Sequence, residues 1–183
     1  MITVFDTTAL STIIIPEATA SNRKTKRPIR HARERVDLLI ETIASSDGLI
    51  IIPSPVLSEV IVRIPDKADE LLKKLKASPW FRVEAFDAAA AVELGLRTAQ
   101  AMAAGDKREG LRKDWTKIKF DRQIVSIALV ARADEILSDD ADIAAIGQRW
   151  GVQVRSIEDL PIPPELVPPP LLASLEQDQE DSE

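Results

Sequence analysis

Four acidic side chains are spaced so that a fold could bring them into one metal-binding site. Asp6 directly follows a strand-like apolar run at residues 2–5, and Asp140 lies just after a later one. In an open parallel sheet, ligands bind beyond the carboxyl ends of the strands, so these two acids are expected at one sheet edge. Glu59 and Asp121 belong to helix-like segments rich in apolar residues. Converging carboxylates repel one another, and a hard divalent cation is the usual compensation.

The composition of the chain narrows the chemistry further. The 183 residues include no Cys, which excludes disulfides, thiolate zinc sites and Cys nucleophiles. A single histidine, His31, argues against histidine-based metal sites and catalytic triads. Ligation by oxygen alone favours Mg²⁺ or Mn²⁺ over zinc. The formal net charge is −6, so any RNA contact must come from a local basic patch.

The segments that would position these acids alternate between two patterns. Short apolar runs predict strands, and segments with helical periodicity lie between them. This alternation predicts an α/β fold with a mostly parallel sheet of four or five strands. The predicted strands are residues 2–5, 49–52, 81–86, 135–138 and 153–155. The predicted helices include residues 9–15, 54–64, 88–104 and 121–133, with two more around Val36 and Leu71.

The helix predicted at residues 121–133 carries almost no polar face, so we expect it to be central and buried. Asp121 would begin this helix. Each acid also has a purely structural interpretation: Asp121 and Asp139 as helix N-caps, and Glu59 as a solvated residue on a helix flank. The metal-site hypothesis rests on the acids taken together.

Two segments depart from the alternating pattern. Residues 17–35 form a basic insertion, and residues 158–183 are proline-rich and end in an acidic run. Polyproline-like backbone and charge repulsion predict that this tail is extended or disordered. We therefore expect one domain over residues 1–157, followed by the tail.

Candidates for RNA binding come from two basic stretches. The insertion offers Arg23, Lys24, Lys26 and Arg27, and a later stretch offers Lys113 beside Trp115, whose indole is a candidate stacking platform. The alternative is that both stretches are solvated basic faces and that the tryptophan belongs to the core.

The acids occur in four short motifs, in this order along the chain: Phe5-Asp6-Thr7-Thr8-Ala9-Leu10, Ser58-Glu59-Val60, Phe120-Asp121-Arg122-Gln123-Ile124 and Ile136-Leu137-Ser138-Asp139-Asp140-Ala141-Asp142-Ile143. Together they resemble the motif regions of PIN-domain ribonucleases, especially the VapC-like toxins, over residues 1–157. The resemblance implies a PIN-like three-layer α/β/α sandwich. Ile143 departs from the family, which often has an aromatic residue there.

The same resemblance implies a site and a reaction. Asp6, Glu59, Asp121 and Asp140 would be catalytic metal-binding acids, and Asp142 a further ligand of Mg²⁺ or Mn²⁺. Thr7 would support Asp6 through a hydrogen bond, and Ser138 and Asp139 would be supporting residues. Because Asp139 adjoins Asp140, the fourth acid is assigned only to within one residue. In this interpretation Asp6 and Asp121 hold the central metal, while Glu59 and Asp140 complete the cage or orient the attacking water.

The implied activity is hydrolysis of RNA phosphodiester bonds, leaving a 5′-phosphate and a 3′-hydroxyl. Similarity to the toxins implies a protein antitoxin as partner and a homodimer, and we expect a cytoplasmic protein without a membrane span. One alternative is a haloacid-dehalogenase-like phosphatase, but that family needs a second Asp where this chain has Thr8. Another is a catalytically silent PIN-like module that serves as a binding or scaffolding protein.

Overall fold

The computed structural model describes residues 1–167, in which five parallel strands form one sheet. The part of the predicted tail at residues 168–183 lies outside the described residues. The strands are β1 (Ile2–Phe5), β2 (Leu49–Pro53), β3 (Phe81–Glu84), β4 (Glu135–Leu137) and β5 (Gln153–Arg155). The helices are α1 (Thr7–Ile14), α2 (Ala32–Ser45), α3 (Ser54–Arg63), α4 (Ala68–Ala77), α5 (Ala88–Ala103), α6 (Trp115–Val130) and α7 (Ala141–Trp150).

The strand order is β3-β2-β1-β4-β5, and each neighbouring pair is parallel. The central strands are rich in branched apolar residues, because both faces of a parallel sheet are covered by helices. Val4, Ile51 and Ile136 are all fully buried. The predicted mostly parallel α/β sheet is therefore confirmed, with five strands.

The chain leaves β1 toward β2 and β3, then returns across β1 to reach β4 and β5. Right-handed crossovers in these two opposite directions put α1 to α4 on one face and α5 to α7 on the other. The helix contacts agree, since α1 packs on α2 and α3 while α6 packs on α5 and α7. The order of strands reverses between β1 and β4, and open α/β sheets bind ligands at such a switch point.

Helix α6 is buried as predicted but begins earlier than expected. It starts at Trp115, so Asp121 lies in its second turn and is not an N-cap. The sequence pattern missed the first turn because Thr116 and Lys119 face solvent there, although Ile118 between them is fully buried. Helix α7 was not predicted from the sequence, because the acids of the fourth motif at its start do not follow an apolar helical pattern.

The end of the predicted basic insertion forms the first turn of α2. Arg33 and Arg35 belong to α2, and the preceding loop is closed by an antiparallel bridge between Ser21 and Pro28. Arg33 donates hydrogen bonds to the carbonyls of Ile13 and Ile15 at the end of α1. Such bonds satisfy carbonyls that a helix end leaves unpaired.

The last described residues pack against this same region. Arg35 donates hydrogen bonds to the carbonyls of Arg30, Glu158 and Leu160, and Leu160 is 2% exposed. The first residues of the predicted tail, which begins at residue 158, therefore pack against the domain. Within residues 1–167, no helix has the length and apolar character needed to cross a membrane.

Candidate active site

Asp6 stands at the junction of β1 and α1 and caps that helix. Its Oδ1 accepts a hydrogen bond from the Ala9 amide at 2.8 Å, and its Oδ2 accepts one from Ser138 Oγ at 2.5 Å. The Ser138 hydroxyl, which follows β4, also accepts a hydrogen bond from the Asp140 amide at 3.0 Å. Because β1 and β4 pair directly, the first and fourth motifs meet at one sheet edge.

The surroundings of Asp6 disfavour its negative charge. The side chain is 3% exposed, and desolvation raises its pKa from the ordinary value of 3.8 to about 7. Hydrogen bonds from Ala9 and Ser138 lower this pKa, while the carboxylates of Asp139 and Asp140 raise it. A cation bound nearby would favour the ionised form of such a group.

Asp121 points into the same region from the second turn of α6. Its Oδ2 is buried and has no hydrogen-bond partner among the described residues. Desolvation, followed by repulsion from Asp140, raises the pKa of Asp121 to about 7, although Lys113 and Lys117 lower it. A buried carboxylate oxygen without a partner is costly, and a metal ion is one group that would satisfy it.

Three carboxylates lie close enough to share one ion. Asp121, Asp140 and Asp142 each offer an oxygen, and these oxygens lie within 4.8 Å of one another. Asp140 is held in place as the N-cap of α7, where its Oδ1 accepts a hydrogen bond from the Asp142 amide at 2.7 Å. This oxygen-only set, together with the unpartnered oxygen of Asp121, fits a hard cation such as Mg²⁺ or Mn²⁺.

Glu59 lies at the mouth of the site, on α3. It is exposed, because its apolar neighbours Val56 and Val60 turn into the core while Glu59 faces solvent. Thr7 Oγ1 donates a hydrogen bond to Glu59 Oε2. The hydroxyl of Thr7 therefore supports Glu59, whereas the sequence analysis assigned that hydrogen bond to Asp6.

The four predicted acids share one cleft of about 490 Å³. Asp6 and Asp121 lie in its buried part, and Glu59 and Asp140 complete the acidic lining. The other lining residues are Thr7, Thr8, Arg63, Asp114, Thr116, Lys117, Phe120, Ile124 and Ile143. Residues far apart in the sequence thus meet in a single negatively charged pocket.

Asp139 does not line this cleft. Its carboxylate accepts hydrogen bonds from the Ser156 hydroxyl and, at 3.4 Å, from the Ile157 amide. It therefore ties the end of β4 to the segment after β5. Of the two adjacent acids, Asp140 is the one that faces Asp121.

Lys113 contacts the acid cluster directly, although the sequence analysis assigned it to an RNA-binding stretch. Its Nζ lies 2.9 and 2.8 Å from the two carboxylate oxygens of Asp140 and 2.9 Å from Asp142 Oδ2. Burial alone would lower the pKa of Lys113, but these hydrogen bonds outweigh burial and hold it above its usual value. In the same way, burial would raise the pKa of Asp140, and the contacts with Lys113 bring it below its usual value.

Two cations line the cleft: Arg63, which was not predicted, and Lys117, which belongs to the basic stretch around Trp115 that was predicted to contact RNA. Arg63 lies in the last turn of α3, four residues after Glu59, and this spacing puts both side chains on one helix face. Lys117, on α6, lies 3.6 Å from Asp140 Oδ2. The spacing between Glu59 and Arg63 was a usable signal, but a lone arginine at a helix end is also a common capping pattern.

The other predicted RNA-binding residues lie elsewhere. Arg23, Lys24, Lys26 and Arg27 belong to the loop before α2 and do not line the cleft. Trp115 is half-buried and packs against the core, with Lys107 Nζ 5.1 Å and Arg122 Cζ 5.3 Å from its ring centroid.

Comparisons with known proteins bear on the fold. No family model and no curated protein sequence matches the chain. A solved chain of VapBC2 from Rickettsia felis, bound to a DNA fragment from their promoter, matches with a TM-score of 0.55 and 16% identity. That match covers 85% of this chain and 98% of the other. A chain of VapBC-1 from nontypeable Haemophilus influenzae matches with a TM-score of 0.52 and 12% identity, covering 86% and 98%. The PIN-like α/β fold that the four motifs predicted is thereby confirmed.

Proposed function

We propose that the protein is a metal-dependent endoribonuclease. One observation carries the proposal: Asp121 and Asp140 line the same cleft as Asp6 and Glu59 and lie close to Asp142, and the buried Asp121 Oδ2 has no partner within residues 1–167. The fold, shared with chains of VapBC structures, and the four acidic motifs agree with this activity.

In the proposed reaction, Asp121, Asp140 and Asp142 would hold Mg²⁺ or Mn²⁺, with Asp6 beside them. The ion supplies a Lewis acid for the phosphoryl group and makes a water molecule more acidic. Ser138 keeps Asp6 Oδ2 oriented through its hydrogen bond. Glu59, which accepts a hydrogen bond from Thr7 at the cleft mouth, would accept a proton from the attacking water.

The substrate would be held by its charge. A phosphodiester must bring its anionic oxygens toward an acidic pocket, so cations are needed at the rim. Arg63 of α3 and Lys117 of α6 both line the cleft, which supports the binding of a single RNA strand there. Arg63 and Lys117 are suited to contacts with phosphate groups and not to the recognition of particular bases. We therefore propose that the protein recognises the RNA backbone.

The test is RNA cleavage by wild type and Asp6→Asn, using structured and single-stranded RNA with Mg²⁺, Mn²⁺ or EDTA. We expect metal-dependent cleavage by wild type, with products that carry 5′-phosphate and 3′-hydroxyl ends. The cleavage activity of Asp6→Asn should be lower by at least about a hundredfold. Asp69→Asn, which alters an exposed acid of α4, serves as the control. Equal cleavage by wild type and Asp6→Asn would reject the assignment. A folded protein without any metal-dependent cleavage would instead favour the silent binding module.

We further propose that the nuclease is the toxin of a toxin–antitoxin pair. The support is that two solved chains with a similar fold come from VapBC structures. Expression of wild type should arrest bacterial growth, and co-expression of a cognate small protein should restore it. Arrest by Asp6→Asn at the same protein level would contradict a nuclease toxin.

A homodimer is proposed from the exposed face of α5. Val92, Leu96 and Met102 are each about 60% exposed, and the charged Glu93 and Arg97 of this helix pair with each other. Exposed apolar side chains on one helix are typical of an interaction face. Light scattering after gel filtration should give a dimer for wild type and a monomer for Leu96→Glu. A monomeric wild type at micromolar concentration would contradict this proposal.

A further inference from the structure

The ammonium group of Lys113 occupies a special position in the acid cluster. It lies within 2.9 Å of both oxygens of Asp140 and of one oxygen of Asp142, two of the three acids that can share a metal ion. No other lysine or arginine within residues 1–167 contacts two members of this cluster; the next, Lys117, lies 3.6 Å from Asp140 alone.

The contacts of Lys113 use the same oxygens that a metal would need. Mg²⁺ and Mn²⁺ bind carboxylate oxygens directly, and an oxygen engaged by an ammonium group is a weaker ligand. Two positive charges within a few ångströms also repel each other strongly in a partly buried site. Full contact of Lys113 with these acids and full ligation of an ion by them therefore exclude each other.

Lys113 can leave this position without disturbing the fold. It belongs to the connection between α5 and α6, its side chain is 36% exposed, and the contacts of its side chain are those with the acids. A lysine side chain is long and flexible, so its ammonium can move several ångströms by rotamer changes alone. Asp140, in contrast, is fixed as the N-cap of α7.

We propose that Lys113 is a built-in counterion of the acid cluster, which a divalent cation displaces from Asp140 and Asp142. This inference rests on the proposed metal site. In the metal-free protein Lys113 offsets the repulsion among the acids. Once displaced, its ammonium lies free beside the cleft, on the wall where Lys117 would meet the substrate phosphate.

The displacement predicts that removing the charge of Lys113 strengthens metal binding. We would titrate Mn²⁺ into the full-length wild type, Lys113→Gln, Lys117→Gln and Lys119→Gln by calorimetry, without RNA. We expect Lys113→Gln to bind Mn²⁺ at least about tenfold more tightly, because a close positive charge is removed. Lys117→Gln should gain less, and Lys119→Gln, an exposed residue of α6, should match wild type.

The outcomes separate the two proposals. Equal or weaker Mn²⁺ binding by Lys113→Gln, with wild type binding the ion, would overturn the displacement and leave the nuclease proposal standing. A gain of the same size in Lys117→Gln would also overturn it, since the effect would then reflect net charge and not the close contact. No Mn²⁺ binding by any folded variant would overturn both proposals.

Discussion

Ser138 fixes the orientation of Asp6: its Oγ donates a hydrogen bond to Asp6 Oδ2 across 2.5 Å, and both side chains are buried. The same hydroxyl accepts a hydrogen bond from the amide of Asp140. One serine thus couples two acids that follow different strands, and the geometry of the proposed metal site depends on it.

Ser138→Ala should therefore weaken the site more than the fold. We expect about tenfold to a hundredfold loss of metal affinity or activity, the usual effect of removing a group that orients a ligand. Stability should fall by only about 1–3 kcal/mol, because the Asp140 amide loses its acceptor. The matched control is Ser126→Ala, whose buried hydroxyl bonds only the carbonyl of Arg122. Calorimetry and urea unfolding measure the two effects, and equal losses of metal affinity in both variants would contradict the coupling.

The two adjacent acids of the fourth motif should give opposite results. Asn is as good an N-cap as Asp, so Asp140→Asn should keep α7 and the fold but lose most of the metal affinity. Asp139→Asn should lose about 1–3 kcal/mol of stability, since its carboxylate accepts from Ser156 and Ile157, and should retain metal binding. Urea unfolding and Mn²⁺ titration measure both. Loss of metal binding in Asp139→Asn alone would shift the fourth acid by one residue.

The acids should also make the metal-free protein sensitive to pH. Asp6 and Asp121 have pKa values raised from 3.8 to about 7 in the folded protein, so between these values the folded state binds more protons than the unfolded state. Their contribution to stability is then fully present below about pH 4 and is lost as the pH rises through about 7. We expect the free energy of unfolding in EDTA to fall over this range.

Asp121→Asn should flatten that pH dependence. An amide carries no charge, so at pH 8 in EDTA the variant should be at least about 1 kcal/mol more stable than wild type, while binding no metal. Asp69→Asn should follow the wild-type curve. A marked loss of stability in Asp121→Asn without metal would show that this carboxylate supports the fold.

Arg63 should contribute to RNA affinity and its salt dependence. In the cleavage-deficient Asp6→Asn background, Arg63→Gln should lower the slope of log affinity against log salt by about 0.7, the value for one phosphate contact to a single strand. Arg132→Gln is the control, because Arg132 lies in the turn just before β4, at the opposite edge of the sheet. Fluorescence anisotropy with labelled RNA measures both, and identical slopes for the two variants would remove Arg63 from the substrate path.

The sequence predicted the sheet well because its strands are short, buried and separated by strong helix signals. It also placed Asp6 and Asp140 at one sheet edge, since they follow two strands that become neighbours. Asp121 was assigned to the correct helix but to the wrong position in it. Periodicity alone does not show where a helix begins when its first turn alternates exposed and buried residues.

The cations of the site were much less predictable. Lys113 reaches Asp140 and Asp142 only because the connection after α5 folds back over α7, and no local pattern encodes such a contact. A basic stretch in a sequence is compatible with a solvated surface, a substrate path or an internal ion pair. The contact between Thr7 and Glu59 is likewise set by the packing of α1 on α3.

The hydrogen bonds of Arg35 make two distant parts of the chain depend on each other. One guanidinium group holds the carbonyl of Arg30 together with those of Glu158 and Leu160, so separation of the two segments leaves the carbonyls of Glu158 and Leu160 without their donor. Amide protons in residues 20–35 and 156–160 should consequently exchange with solvent in one cooperative opening. A shortened protein that stops before residue 160 would lose the hydrogen bond between Arg35 and Leu160, and proteases should then cleave the basic loop more readily.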